Sequence, residues 1–163
     1  MRLSVFAFSC GIAAALAGPA AAQSGAKKPA AKAPSAQART VNIVGTDDMK
    51  YSVTTITAKA GEMLTIRLAS TGTLPKVAMA HNVVVLKIGT DAGKFTTAGA
   101  PHRATDFIPP AMASAVIAKT TLAGAGETVQ VTFKVPEKPG TYEFICTFPG
   151  HFQSGMKGTL VVK

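Results

Sequence analysis

The sequence predicts an all-β domain, a sandwich of seven to eight short strands, from two features: period-two alternation and regular Gly/Pro punctuation. Val41 and Ile43 alternate with polar neighbours. Leu64, Ile66 and Leu68 share one side of a run whose other side carries Thr65 and Arg67. Val129, Val131, Phe133 and Val135 alternate with Gln130, Thr132 and Lys134, the pattern of a strand with one face on a core. Asn82 to Ile88 is apolar almost throughout, as expected of a strand covered on both faces. Tyr142, Phe144 and Cys146 share a face, and Gly158 to Val162 closes the chain. The turns fall at Gly45-Thr46-Asp47, Ala60-Gly61, Pro136 to Gly140 and Pro149-Gly150. Asp91 to Ser114, with two glycines and three prolines, is too long for a hairpin loop. It predicts an external flap with room for a short helix.

The first residues do not read as part of this domain. Arg2, the apolar run Leu3 to Leu16, the break at Gly18-Pro19 and the small residues Ala20-Ala21-Ala22 follow the plan of a secretory signal, residues 1–22. An uncleaved anchor is the alternative, disfavoured by the shortness of the run. Cys10 lies inside the run with no lipidation pattern around it, so export would leave Cys146 as the mature chain's single cysteine. A lone thiol in an oxidising compartment calls for protection, by burial or by a metal.

Residues 23–39 are rich in Ala, Pro and Lys and predict a disordered tether. Residues 40–163 form the predicted domain. The chain's formal charge is +9, but five of its 17 Lys and Arg precede Thr40 and all eight acids follow it, leaving the domain at about +4. A nucleic-acid partner is therefore not expected, because it calls for clustered bases on the folded part. The basic tether allows peripheral or tethered association with a membrane; simple solubility also explains it. The domain is expected to be monomeric.

The chemistry concentrates in Cys146-Thr147-Phe148-Pro149-Gly150-His151, followed by Phe152-Gln153-Ser154-Gly155-Met156. His81, at the head of an apolar strand, supplies a second imidazole. One thiolate, two imidazoles and a weak axial thioether are the donor set of a blue-copper site. Cu(I) favours sulfur and Cu(II) favours nitrogen, so a rigid site between the two preferences needs little rearrangement when an electron arrives or leaves. Taken singly, Cys146 and Met156 would read as core filler and His81 as a structural histidine; the spacing argues otherwise. His102, in the flap with no matching partner, is expected at the surface.

These residues resemble those of the azurin-like cupredoxins, the blue copper proteins. The stretch CTFPGH (146 to 151) is similar to their copper loop, and Met-Ala-His-Asn (79 to 82) to their upstream histidine motif. GTDDMKY (45 to 51), TLPK (73 to 76), VIAKTTLAGAGE (116 to 127) and GMKGTLVV (155 to 162) extend the resemblance over most of residues 40 to 163. Two departures stand out. Four residues separate His151 from Met156, one more than in azurin, and azurin's disulfide has no counterpart. The longer loop and the Phe-Ile-Pro-Pro flap (107 to 110) look more like auracyanin, an electron carrier of green photosynthetic bacteria.

The resemblance implies a Greek-key sandwich with one copper ion held near one end by His81, Cys146, His151 and Met156. It implies a weak approach of the Ala80 carbonyl, which the longer loop brings into question. It also implies supporting roles for Asn82 and Thr147, which tie the two ligand segments together, and for the Phe148 N–H, which points at the thiolate. Met49, Leu74, Met79, Phe148 and Pro149 would form an apolar patch around the exposed edge of His151, where redox partners dock briefly, with Lys76 at its rim steering acidic partners. The implied function is single-electron transfer in the periplasm or another exported location, without substrate turnover. Copper storage or delivery is the alternative, but accessible Met- or His-rich segments are missing from tether and flap. A copper enzyme would need an open coordination position, and four protein ligands leave none.

Overall fold

A computed structural model describes residues 38–163. The predicted signal segment and all but the last two residues of the predicted tether lie outside the described residues. Strand β1 (Arg39–Thr46) starts one residue before the predicted domain boundary. The Arg39 guanidinium donates to Glu62 Oε1 at 2.7 Å and to the Thr57 carbonyl at 2.8 Å, which fixes the start of the strand.

The remaining strands are β2 (Lys50–Tyr51), β3 (Thr55–Ala58), β4 (Met63–Ser70), β5 (Val84–Leu86), β6 (Val116–Lys119), β7 (Thr128–Lys134), β8 (Gly140–Ile145) and β9 (Lys157–Val162). They make two sheets, ordered β2-β1-β4-β7 and β3-β9-β8-β5-β6. The chain passes repeatedly between them, so β1 pairs parallel with β4 and β3 parallel with β9, while the other pairs are antiparallel. This is the Greek-key sandwich; its nine strands exceed the expected seven to eight, the two-residue β2 among them.

The alternation in the sequence builds the core directly. Ile43, Leu64, Ile66 and Leu68 from one sheet meet Val83, Val85, Tyr142, Phe144 and Leu160 from the other. A second, smaller core lies on the outer face of the five-stranded sheet. There the flap, carrying helix α1 (Ala92–Gly99), lays Phe95 and Ile108 against Val84, Leu86 and Ile145. Strand β5 is thus covered on both faces, as its unbroken apolar run requires. It ends sooner than the run does: the register shifts at Val85/Leu86, and Ile88 beyond it is exposed.

Helix α1 begins at Asp91, whose side chain accepts from the Lys94 N–H at 2.9 Å. The flap then turns through Asp106 and Phe107, both at positive φ (57° and 59°), a conformation costly for residues with a Cβ. That turn aims the Asp106 carbonyl at the end of the sandwich where the β4–β5 and β8–β9 connections meet, accepting from the Thr147 hydroxyl at 2.7 Å.

Candidate metal centre

His81 stands in the connection leading into β5, held by a two-way bridge to Ala123. Its N–H donates to the Ala123 carbonyl at 2.9 Å and its carbonyl accepts from the Ala123 N–H at 2.7 Å. Cys146 follows the last residue of β8, and its N–H donates to the Met156 carbonyl at 3.1 Å. Between these two residues the chain makes a tight loop. Gly150, at φ 86°, reverses the backbone where a side chain would be strained, and the Met156 N–H returns to the His151 carbonyl at 2.9 Å. Cys146, His151 and Met156 are thereby pinned to one another by backbone alone.

The side chains converge. The Nδ1 atoms of His81 and His151 lie 3.3 Å apart, and Cys146 Sγ lies 3.5 Å from His151 Nδ1. One ligand atom from each of the three residues falls within 4.8 Å of the other two. His81, Cys146 and Met156 are fully buried, and His151 is 2% exposed. A Cβ placed on Gly45 would sit 3.0 Å from His81 Cδ2 and 3.1 Å from Met156 Cε, so the thioether arm and the His81 ring lie side by side over a glycine that leaves them room. The Ala80 carbonyl faces the same space, 3.9 Å from Cys146 Sγ.

A tight polar network surrounds the donors. Asn82 Oδ1 accepts from the Thr147 N–H at 2.9 Å, and Asn82 Nδ2 donates to Thr147 Oγ1 at 2.8 Å, joining the two ligand segments. The Phe148 ring packs at a 41° tilt against His151 with centroids 4.7 Å apart and meets Phe107 from the flap edge-on at 5.3 Å. At 2% exposure His151 is nearly covered, where an exposed edge was expected. Of the residues expected in an apolar patch, Leu74 and Pro149 are exposed, while Met49, Met79 and Phe148 are half-buried. Lys76 is not a free steering charge: its Nζ sits 2.6 Å from Glu127 Oε2. His102 is half-buried in the flap and belongs to no cluster of metal-ligating groups among the described residues.

Electrostatics prepares the donors for a metal. Burial pushes His151 down to about 4, the neighbouring His81 adding to the effect; burial also lowers His81, partly offset by the Asp47 carboxylate. Both rings are therefore neutral at pH 7, with lone pairs available. Burial pushes the Cys146 thiol up to about 11, against the pull of the Asn82 and Phe148 backbone N–H groups and the Tyr51 hydroxyl. A buried thiol beside two neutral imidazoles is a donor set that a bound cation would complete by taking the proton's place on the sulfur. The donor set thus fits a copper ion.

Comparison with known proteins agrees with this geometry. The family model "Copper binding proteins, plastocyanin/azurin family" matches residues 38–163. The chain belongs to that family. An azurin of Alcaligenes faecalis is 42% identical over 123 residues, covering 74% of this chain and 94% of that protein. Auracyanin-B of Chloroflexus aurantiacus is 35% identical over 127 residues, 77% of this chain and 52% of that one. The structure of auracyanin A from the same bacterium, described as a "blue" copper protein, superposes with a TM-score of 0.67 at 34% identity, over 77% of this chain and 98% of that one. The chain is thus an azurin-like cupredoxin, similar to the auracyanins, and its cofactor is copper.

Three residues around this centre had no functional role legible in the sequence. Gly45 and Tyr51 only bound the GTDDMKY stretch of the resemblance, Gly45 reading as a turn residue, and Asp106 lies unremarked in the flap. Only the fold shows that the first two face the donors and that the third contributes its backbone carbonyl.

The apoprotein is expected to have a dome of stability between about pH 6.5 and pH 9. Unfolding returns His151 to its ordinary value of 6.5, so the unfolded chain binds more protons as pH falls from there toward about 4 and stability drops, by about 3 kcal/mol. Above pH 9 the unfolded thiol ionises while the folded one holds its proton to about 11, and stability falls again. Urea titrations of the metal-free chain at a series of pH values check both limbs; a profile flat between pH 6.5 and 4 would contradict the assignment for His151.

Proposed function

We propose that His81, Cys146, His151 and Met156 hold one copper ion and that the protein carries single electrons between partner proteins in the cell envelope. The convergence of two neutral imidazoles and one thiol within 4.8 Å of each other, away from solvent, carries this reading. A bound copper ion would supply the redox change, one electron between Cu(II) and Cu(I). The chain supplies rigidity. The bridge at Ala123 and the bonds among Cys146, His151 and Met156 fix the donors before any metal arrives, so neither oxidation state can draw the site into its own preferred geometry. Asn82 and Thr147 hold the two ligand segments in register, and the Phe148 N–H addresses the thiolate.

Electron entry and exit run through the His151 ring beneath Phe148, at the patch of Met49, Leu74, Met79, Phe148 and Pro149, where a small apolar contact suits brief docking. Storage or delivery is the weaker reading, because buried donors offer no open route for passing the metal on. The protein acts as a monomer after export. Among the described residues no helix is long and apolar enough to cross a membrane.

The test is a Cu(II) titration of the full chain. An intense thiolate-to-copper absorption band at one equivalent, bleached by a reductant and restored by an oxidant over repeated cycles, is the expected result. Copper bound without that band, or a band lost after one reduction, would refute the carrier reading.

A further inference from the structure

Tyr51 places a phenol hydroxyl deep inside the protein, beside the metal centre. The residue is 6% exposed, its ring packs on Phe144 with centroids 5.6 Å apart, and its hydroxyl donates to the Asn82 carbonyl in a buried hydrogen bond. Strand pairing explains its direction. Tyr51 stands opposite Gly45 in the antiparallel β1–β2 pair, and directly opposed residues point to the same face. The Gly45 face is the one on which the His81 ring and the Met156 methyl lie.

A packing role alone would be met by phenylalanine. The hydroxyl has to be desolvated and then satisfied, which an apolar ring avoids. Its acceptor is no remote carbonyl either: Asn82 follows His81, its side chain grips Thr147, and its backbone N–H addresses the Cys146 sulfur.

We propose that Tyr51 is a positioning residue of the metal centre, its buried hydroxyl holding the Asn82 backbone against Cys146, withdrawing electron density from the sulfur and raising the reduction potential of bound copper. This role rests on the copper-carrier reading above. The hydroxyl gives its proton to the Asn82 carbonyl, so the phenol acts on the sulfur through the Asn82 N–H that it holds in place. A hydrogen bond toward a thiolate stabilises the electron-rich donor and weakens its donation to the metal. Oxidised copper needs that donation most, so the reduced form gains.

Two variants test this, each copper-loaded and followed by redox titration and visible absorption. Tyr51→Phe keeps the ring and removes the hydroxyl. Its reduction potential is expected to fall by about 59 mV, a tenfold change in the one-electron equilibrium, with the thiolate-to-copper band moving to lower energy. The second variant strengthens the donor without changing its shape. Tyr51 and Tyr142 are the chain's two tyrosines, and the Tyr142 hydroxyl donates to the Lys138 carbonyl at 2.8 Å, away from the centre. A Tyr142→Phe chain made with difluorotyrosine therefore carries the more acidic phenol at position 51 alone, and its potential is expected to rise above that of the unlabelled Tyr142→Phe chain. If Tyr51→Phe does not fold, the fluorinated chain decides. Potentials and bands matching those of the parent chains would overturn the role while the blue parent keeps its function. A parent that develops no thiolate-to-copper band would overturn the copper reading and this role together.

Discussion

Cys146→Ser is expected to erase the thiolate-to-copper band completely and to weaken Cu(II) binding by more than about a hundredfold, since losing even an outer contact to a ligand costs 10–100-fold. The serine hydroxyl does not ionise near neutral pH, so no anionic donor remains in the site. The two imidazoles and the thioether alone would present a neutral donor set. The substitution also acts on the apoprotein. Cys146 is fully buried in the main core, and the acceptors facing its sulfur, His151 Nδ1 at 3.5 Å and the Ala80 carbonyl at 3.9 Å, lie too far for a shorter hydroxyl. An unsatisfied buried hydroxyl costs about 1–3 kcal/mol, so the variant should unfold at lower urea even without metal. Visible absorption and urea unfolding read the two effects separately. A serine variant that kept an intense visible band would remove Cys146 from the centre and, with it, the proposed function.

How much of this was legible beforehand differs by element, and the reasons are physical. The strands around Leu64 to Leu68 and Val129 to Val135 declare themselves because one face of each meets the core, so burial imposes a period of two. Strand β3 is only four residues long, and Ile56 and Ala58 are too few to make a pattern. It exists because β9 offers it a parallel edge, a tertiary fact with no local trace. The flap was legible from its prolines and glycines, and α1 within it as a possibility. Its second core under Phe95 was not, because the outer face of β5 reads only as an apolar run.

The metal centre divides in the same way. Cys146, His151 and Met156 are visible together since one short loop carries all three, and His81 is visible because that loop needs another imidazole. Residues that act from elsewhere carry no such mark. Gly45 matters for what it lacks, Asp106 for its carbonyl, and Tyr51 for a strand partner that no spacing rule names. The covering of His151 by Phe148 is likewise a matter of packing. The resemblance led to an open edge, whereas here His151 is 2% exposed and its ring lies 4.7 Å from that of Phe148.

The same division identifies the residue whose loss should spread furthest. Asn82→Ala is expected to destabilise the apoprotein by about 3 kcal/mol and to weaken copper binding by about 10–100-fold. Asn82 is fully buried, and its amide is the only link between the His81 segment and the Cys146 loop that uses both a donor and an acceptor among the described residues. Truncation leaves the buried Thr147 N–H without its 2.9 Å acceptor, which carries the full desolvation penalty of a stranded donor, and opens a cavity of side-chain size. The Thr147 hydroxyl keeps its 2.7 Å bond to the Asp106 carbonyl, so the flap side of the network survives while the sandwich side parts. The Tyr51 bond also survives, because it uses the Asn82 backbone, and the Asn82 N–H facing the sulfur is retained. The two losses therefore report on segment register and not on thiolate hydrogen bonding, so the potential should move less than in Tyr51→Phe even as affinity falls. Urea midpoints with unchanged m-values, a Cu(II) titration and a redox titration separate the three quantities. Full copper affinity in Asn82→Ala would show that the donors keep their places without this clamp, and that the backbone bonds at Ala123 and Met156 suffice to build the site.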